Sequence, residues 1–209
     1  MYLPPAFRED DLGTLQTFMQ QYSFATLITQ HQGAPFASHL PLLWRSHDDP
    51  YGTLVGHMAR ANPQWRDFAT GQETLAIFHG PHVYVSPSWY GVHPSVPTWN
   101  YAVVHAYGTP QVITDNAMLY EVLQDLVWTF EAPSPNPWKL QLPDDYLHSM
   151  MQGIVGFTMP ITRLEGKFKL SQNRSPEDQR RVAAALQGQG DALSTDVAAL
   201  MDQRVESTP

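Results

Sequence analysis

From Thr74 to Thr114 the chain reads TLAIFHGPHVYVSPSWYGVHPSVPTWNYAVVHAYGTPQVIT. No Asp, Glu, Lys or Arg occurs in it, while His79, His82, His93 and His105 recur among Phe78, Tyr84, Trp89, Tyr90, Trp99, Tyr101 and Tyr107. Its β-branched and aromatic runs predict strands at Leu75 to Phe78 and Val83 to Ser86, either side of a turn at Gly80-Pro81. After a loop from Pro87 to Pro97, a long strand is expected from Thr98 to Ile113. Ser86, Ser88, Thr98 and Asn100 add polar but uncharged groups. Such a mixture suits the wall of a ligand pocket, the centre of a subunit interface, or a β-rich core unusually supplied with histidine.

More strands and helices flank this stretch. Glu9 to Tyr22 predicts a helix, with Leu12, Leu15, Phe18, Met19 and Tyr22 on one stripe and acids at its positive end. Thr26 to Thr29, a turn at His31-Gln32-Gly33, Pro35 to Trp44 and Tyr51 to Met58 read as strands and their connection. Asn62-Pro63 reads as the cap and first turn of a short helix carrying Trp65 and Phe68. Asp115 to Phe130 is a helix with Leu119, Val122, Leu123, Leu126, Val127 and Phe130 on its apolar face, stopped by the prolines at 133, 135 and 137. Gly153 to Leu164 is one more strand, in which Pro160 calls for an edge position or a bulge. Ser175-Pro176 starts a helix ending near Gly188, and a short amphipathic segment at Leu193 to Met201 precedes a frayed tail. Strands with interspersed helices predict an α+β fold built round an antiparallel sheet or barrel.

Composition narrows the function. In 209 residues the charged share is 15%, against roughly a quarter in an ordinary soluble chain. The deficit is local, because all 32 charges lie outside Thr74 to Thr114. The net charge of −8 argues against binding a phosphate backbone unless the basic residues gather in one place. Half of the twelve do gather: Arg163, Lys167, Lys169, Arg174, Arg180 and Arg181 against Glu165, Glu177 and Asp178. Lys167 and Lys169 alternate on a strand-like stretch and share a face that suits an anion, whereas Arg180 and Arg181 read as a solvated helix face. No apolar run approaches the ~18–20 residues of a membrane span. The first residues show no signal-peptide pattern and the chain has no Cys, so a cytoplasmic location is expected. Phosphate-loop, dinucleotide-fold and nucleophile-elbow motifs are absent. No catalytic residue and no metal ligand set is named.

Four clusters remain: Gly56-His57-Met58-Ala59-Arg60-Ala61-Asn62-Pro63-Gln64-Trp65, Ser86-Pro87-Ser88-Trp89-Tyr90, Val96-Pro97-Thr98-Trp99-Asn100-Tyr101, and Gly166-Lys167-Phe168-Lys169-Leu170-Ser171-Gln172-Asn173-Arg174-Ser175. In this order, from Met1-Tyr2 to about Leu186, they closely resemble the PaiB-type family of FMN-binding negative transcriptional regulators. The resemblance implies an α+β antiparallel split β-barrel with peripheral helices, of the pyridoxamine-phosphate-oxidase type, homodimeric, with FMN held between subunits. Residues 1–188 would form the FMN-binding split-barrel domain and 189–209 a short C-terminal helical extension and tail.

It also implies a site. Ser38, His39, His57 and Arg60 would meet phosphate and ribityl, with Arg60 the best phosphate ligand because a guanidinium fork matches phosphate oxygens. Thr98, Trp99 and Asn100, offered by a neighbouring subunit, would supply stacking and amide contacts to the ring. Lys169, Ser171 and Gln172 would complete an anion or ring-edge contact. Direct DNA binding follows from the family name alone, with no helix-turn-helix and an acidic net charge against it. Related split barrels also act as flavin-dependent oxidoreductases with no DNA role, or bind haem through histidine, for which His57, His79, His82 and His105 are candidates.

Overall fold

The computed structural model describes residues 1–46 and 49–206. In chain order it contains strand β1 (Arg8–Glu9), helix α1 (Leu12–Gln21), strands β2 (Phe24–His31), β3 (Ala34–Pro41), β4 (Leu43–Arg45), β5 (Thr53–Ala59), β6 (Thr74–Val85), β7 (Thr98–Gly108) and β8 (Gln111–Val112), helices α2 (Asn116–Glu131) and α3 (Asp144–Gln152), strand β9 (Ile154–Lys169), and helices α4 (Pro176–Gln187) and α5 (Ala192–Glu206). Short 3₁₀ turns occupy Pro5–Phe7, Pro63–Thr70 and Pro87–Trp89. The hydrogen-bonded strand order is β3-β2-β6-β7-β9-β5-β4, with β1 and β8 each pairing β9. This is the expected α+β architecture.

The chain divides into two compact units. The first comprises Met1–Phe18, His79–His105 and Glu165–Pro209, and the second Met19–Phe78 and Ala106–Leu164.

In the second unit, Gln32 (φ 52°) and Gly33 (φ 82°) both take positive φ. That is the mirror-image turn whose twist suits a two-residue hairpin, and it sets His31 opposite Ala34 and Thr26 opposite His39. Helix α2 begins at an N-cap, where the Asp115 side chain accepts from the Ala117 N–H. It buries Leu119, Val122 and Leu126, an i, i+3, i+7 stripe. Val122 and Leu126 form a core cluster with Leu43 and Val55, and Ile113 packs on it. The buried Phe68 and Phe157 rings sit 5.1 Å apart.

The first unit holds α1 as far as Phe18 and the α4–α5 pair. Phe18 meets Phe168 at 5.1 Å, and Val182, Leu186, Val197 and Met201 are all buried. Ser175 caps α4 through the Asp178 N–H, with Pro176 at the first helical position, as expected from the sequence.

The structure departs from the sequence expectations at five places. Gly80-Pro81 is not a turn, and β6 runs straight through it. Gly80 is required for a different reason, since a Cβ there would lie 2.5 Å from the Phe18 ring. The strand expected from Thr98 to Ile113 stops at Gly108 and resumes as β8 after Thr109-Pro110. Helix α3, with Asp144 and Asp145 in its first turn, was not foreseen because its nine residues bury no side chain completely and show no core stripe. Strand β9 is not an edge, as it lies between β7 and β5, and Pro160 instead stands opposite Thr53 in the last pair of the β5 ladder. The C-terminal segment is a longer helix than expected, reaching Glu206, and the frayed tail at 207–209 lies outside the described residues.

Candidate functional site

The sequence-named residues fall into two sets, one in each unit. In the second unit, Asn62 organises its surroundings. Its side chain accepts from the Gln64 N–H (3.0 Å) and donates to the Ser38 hydroxyl (2.8 Å). The fully buried Gln64 donates in turn to the carbonyls of Leu27 (2.9 Å) and Phe36 (3.2 Å). The Asn62 turn is therefore locked to the β2–β3 hairpin, and Gln64 is a structural key that sequence reading passed over. Ser38 is half-buried, while His39 is exposed with Nδ1 3.0 Å from the Thr26 hydroxyl.

Arg60 emerges from the end of β5. Its Nε donates to the Gln152 carbonyl (2.6 Å) and its Nη2 to the Ile154 carbonyl (2.8 Å). It does not cap the following turn, a task that Asn62 performs. Two carbonyl contacts fix the guanidinium and leave Nη1, with one hydrogen on Nη2, free to donate. His57, on β5 opposite Gly156, keeps a buried Nδ1 without a hydrogen-bond partner among the described residues. Burial pushes its imidazole below the usual histidine range, because an imidazolium there would be poorly solvated.

The Arg60 side chain also walls a cavity of about 330 Å³, together with Trp65, Asn116, His148, Gln152 and Leu119. His148 and Gln152 come from α3, so the missed helix carries the missed lining residues. Nothing in their local sequence pattern marks them.

The first-unit set is joined directly. Lys169 Nζ donates to the Thr98 hydroxyl (2.5 Å) and the Trp99 carbonyl (2.6 Å). Asn100 is completely buried; its amide donates to the Ser171 hydroxyl (3.0 Å) and Met201 Sδ (3.4 Å), and its carbonyl accepts from Ser171 (3.2 Å). Ser171 itself is held at φ 66°. Gln172 folds back, accepting from the Leu170 N–H (2.6 Å) and donating to the Phe168 carbonyl. Asn100, Ser171 and Gln172 thus spend their polar groups on holding this corner. Burial, with Lys167 and Arg174 nearby, lowers the Lys169 pKa below the ordinary lysine value.

Trp99 stands out of this corner with 54% of its surface exposed, so it is not core. Its indole lies 6.4 Å from His82 and edge-on to Tyr84 at 6.1 Å. It borders a cavity of about 680 Å³ lined also by His79, His82, Tyr101, His105 and Lys167. Most of these come from the charge-free stretch.

The basic segment does not act as one patch. Arg163 pairs with Glu73 (3.0 Å) and lies over the Tyr107 ring (3.4 Å), and Lys167 donates to the Tyr2 carbonyl (3.0 Å). Arg174 covers Tyr90 (4.4 Å), and Arg181 pairs with Glu177 four residues earlier (2.7 Å). Among the described residues, no three potential metal-ligating side chains come together. No described helix is long and apolar enough to cross a membrane.

A family model described as "Putative FMN-binding domain" matches residues 1–163. The protease synthase and sporulation protein PAI 2 of Bacillus subtilis is 38% identical over 208 residues, covering 99% of both chains. The chain belongs to this PaiB-type FMN-binding family. Solved structures agree with its fold. The flavocytochrome Anf3 of Azotobacter vinelandii superposes with a TM-score of 0.64 at 15% identity, over 83% of this chain and 75% of that one. The FAD- and haem-binding protein of Mycobacterium smegmatis gives 0.58 at 16%, over 83% and 78%. The PaiB-type chain is thus a split-barrel protein. Its Lys169–Ser171 corner lies beyond the segment that the family model matches.

Proposed function

We propose that this PaiB-type protein binds FMN as a homodimer, the flavin ring resting on Trp99 of one copy and its phosphate end on Arg60 of the other. The observation that carries the reading is Trp99, a half-exposed indole braced by Lys169 at the mouth of a mainly aromatic cavity. A planar ring gains both burial and stacking there. The chain's residues also fit the other end of the cofactor, because Arg60 keeps donors unspent and Ser38 is fixed near the same turn. His39 and His57 flank the same strands and serve the ribityl chain, while Thr98, Asn100, Ser171 and Gln172 hold the ring-end corner in shape.

When bound, flavin supplies hydride or electron transfer, and the protein's part is to hold and orient it. The Bacillus relative is described as a protease synthase and sporulation protein, which accords with a regulatory role for this chain. The dispersed cations give no support to a DNA-binding face.

An absorbance spectrum of the purified protein, before and after added FMN, tests the reading. Flavin bands that shift on binding are expected. A Soret band with no flavin uptake would replace FMN by haem, with His79, His82 and His105 around the same cavity as its candidate ligands. Equilibrium sedimentation tests the dimer, and a DNA titration at two salt concentrations tests direct contact with a phosphate backbone.

A further inference from the structure

The cavity beside Arg60 has a lining with one formal cation and no carboxylate. The nearby Asp115 carboxylate is turned onto the Ala117 N–H of its own helix. Trp65 forms a fixed wall, because its indole N–H donates to the Arg60 carbonyl (3.0 Å). His148 and Gln152 meet through Nε2 and Nε2 at 3.0 Å. This contact occupies one nitrogen of the His148 ring and leaves the other for a second partner. His148 with its second ring nitrogen, Asn116 with its amide and Arg60 with its spare hydrogens therefore line one cavity of about 330 Å³. Such a donor set without a competing carboxylate suits a tetrahedral oxyanion.

We infer that this cavity is an anion seat in which His148 and Asn116 join Arg60 to bind a phosphate monoester. The inference rests on the flavin reading for its natural ligand, the terminal phosphate of FMN. It adds two ligands from α3 and α2 that no sequence motif marks. A bland alternative is that Arg60 only staples β5 to the start of β9 through its two carbonyl contacts. Those contacts use two of five donors, and the remaining three decide the matter.

The test titrates wild type, His148→Ala, His148→Gln and Asn116→Ala with FMN, with riboflavin and with inorganic phosphate alone, checking each variant's melting temperature. Wild type should prefer FMN to riboflavin. His148→Ala should cut FMN affinity about tenfold, the loss of one hydrogen bond to a charged group, and leave riboflavin unchanged. Asn116→Ala should narrow the FMN-to-riboflavin ratio in the same direction, and His148→Gln should recover part of the loss. An FMN-to-riboflavin ratio unmoved by His148→Ala and Asn116→Ala would overturn the seat while sparing the flavin reading. If no flavin binds at all, the flavin reading fails and phosphate decides the seat. Phosphate binding weakened by His148→Ala sustains it, and phosphate binding that is absent or equal in all variants overturns it.

Discussion

The Lys169 ammonium donates to the carbonyl oxygen of Trp99 at 2.6 Å, tying the end of β9 to the start of β7. The same ammonium reaches the Thr98 hydroxyl, so one cation sets the backbone on which the exposed indole stands. Lys169→Met keeps the apolar stem and removes both bonds. It should weaken FMN binding at least several-fold and lower stability by about 1–3 kcal/mol. Flavin-fluorescence titration and urea unfolding check the two effects. Full FMN affinity in the variant would show that Trp99 does not depend on this bond.

Arg60 and Arg180 separate a binding role from a surface role. Arg60→Ala should weaken FMN binding by tenfold or more, as expected for the loss of a charged phosphate contact, whereas Arg180→Ala should leave it unchanged. Equal effects would place the phosphate elsewhere. Arg60→Ala should also cost some stability, because the Gln152 and Ile154 carbonyls lose their donors.

His57 makes stability depend on pH. Burial lowers its folded pKa below the unfolded value of about 6.5. As pH falls below that value, the unfolded chain takes up a proton that the folded chain resists, so stability drops and levels off below the folded pKa. His57→Gln should flatten this acid limb. Chemical unfolding at several pH values between neutrality and mild acid, on both proteins, provides the check; identical slopes would contradict the assignment.

Asn100 and Ser171 form a buried pair with two mutual hydrogen bonds. Asn100→Ala strands the Ser171 hydroxyl and should cost about 2 kcal/mol. Ser171→Gly loses the same bonds but relieves the positive φ, so its cost should be smaller. Thermal unfolding of the two variants gives the order, and a larger loss for Ser171→Gly would refute this account.

Gly80→Ala tests the close approach inside β6. The added methyl would have to displace the Phe18 ring, which packs on Phe168. A loss of about 1–3 kcal/mol is expected, as for other overpacked cores. Phe18→Leu in the same background should recover part of it, as read from urea midpoints.

Much of this protein is legible without coordinates because the signals are local. The Gln32-Gly33 turn, the Asn62, Asp115 and Ser175 caps and the apolar stripe of α2 depend on residues a few positions apart. Gly80-Pro81 misled because its glycine answers to Phe18, 62 positions away in the chain, and not to its neighbours. Helix α3 was silent because it buries nothing completely.

The candidate site divides in the same way. The family resemblance, weighed with residue type, singled out Trp99, Lys169 and Arg60, since an indole and two cations in these clusters have chemistry to offer a flavin. Which of their atoms remain available is decided by folding. Asn100 and Trp99 are adjacent in sequence, yet one is completely buried against Ser171 and Met201 while the other faces outward. Strand alternation sends neighbours to opposite faces, and only long-range packing decides which face is covered. The charge-free stretch itself was a property of sequence. Its service as one wall of an aromatic cavity came from the tertiary structure, which brought Tyr2 and Lys167 from distant parts of the chain to complete the lining.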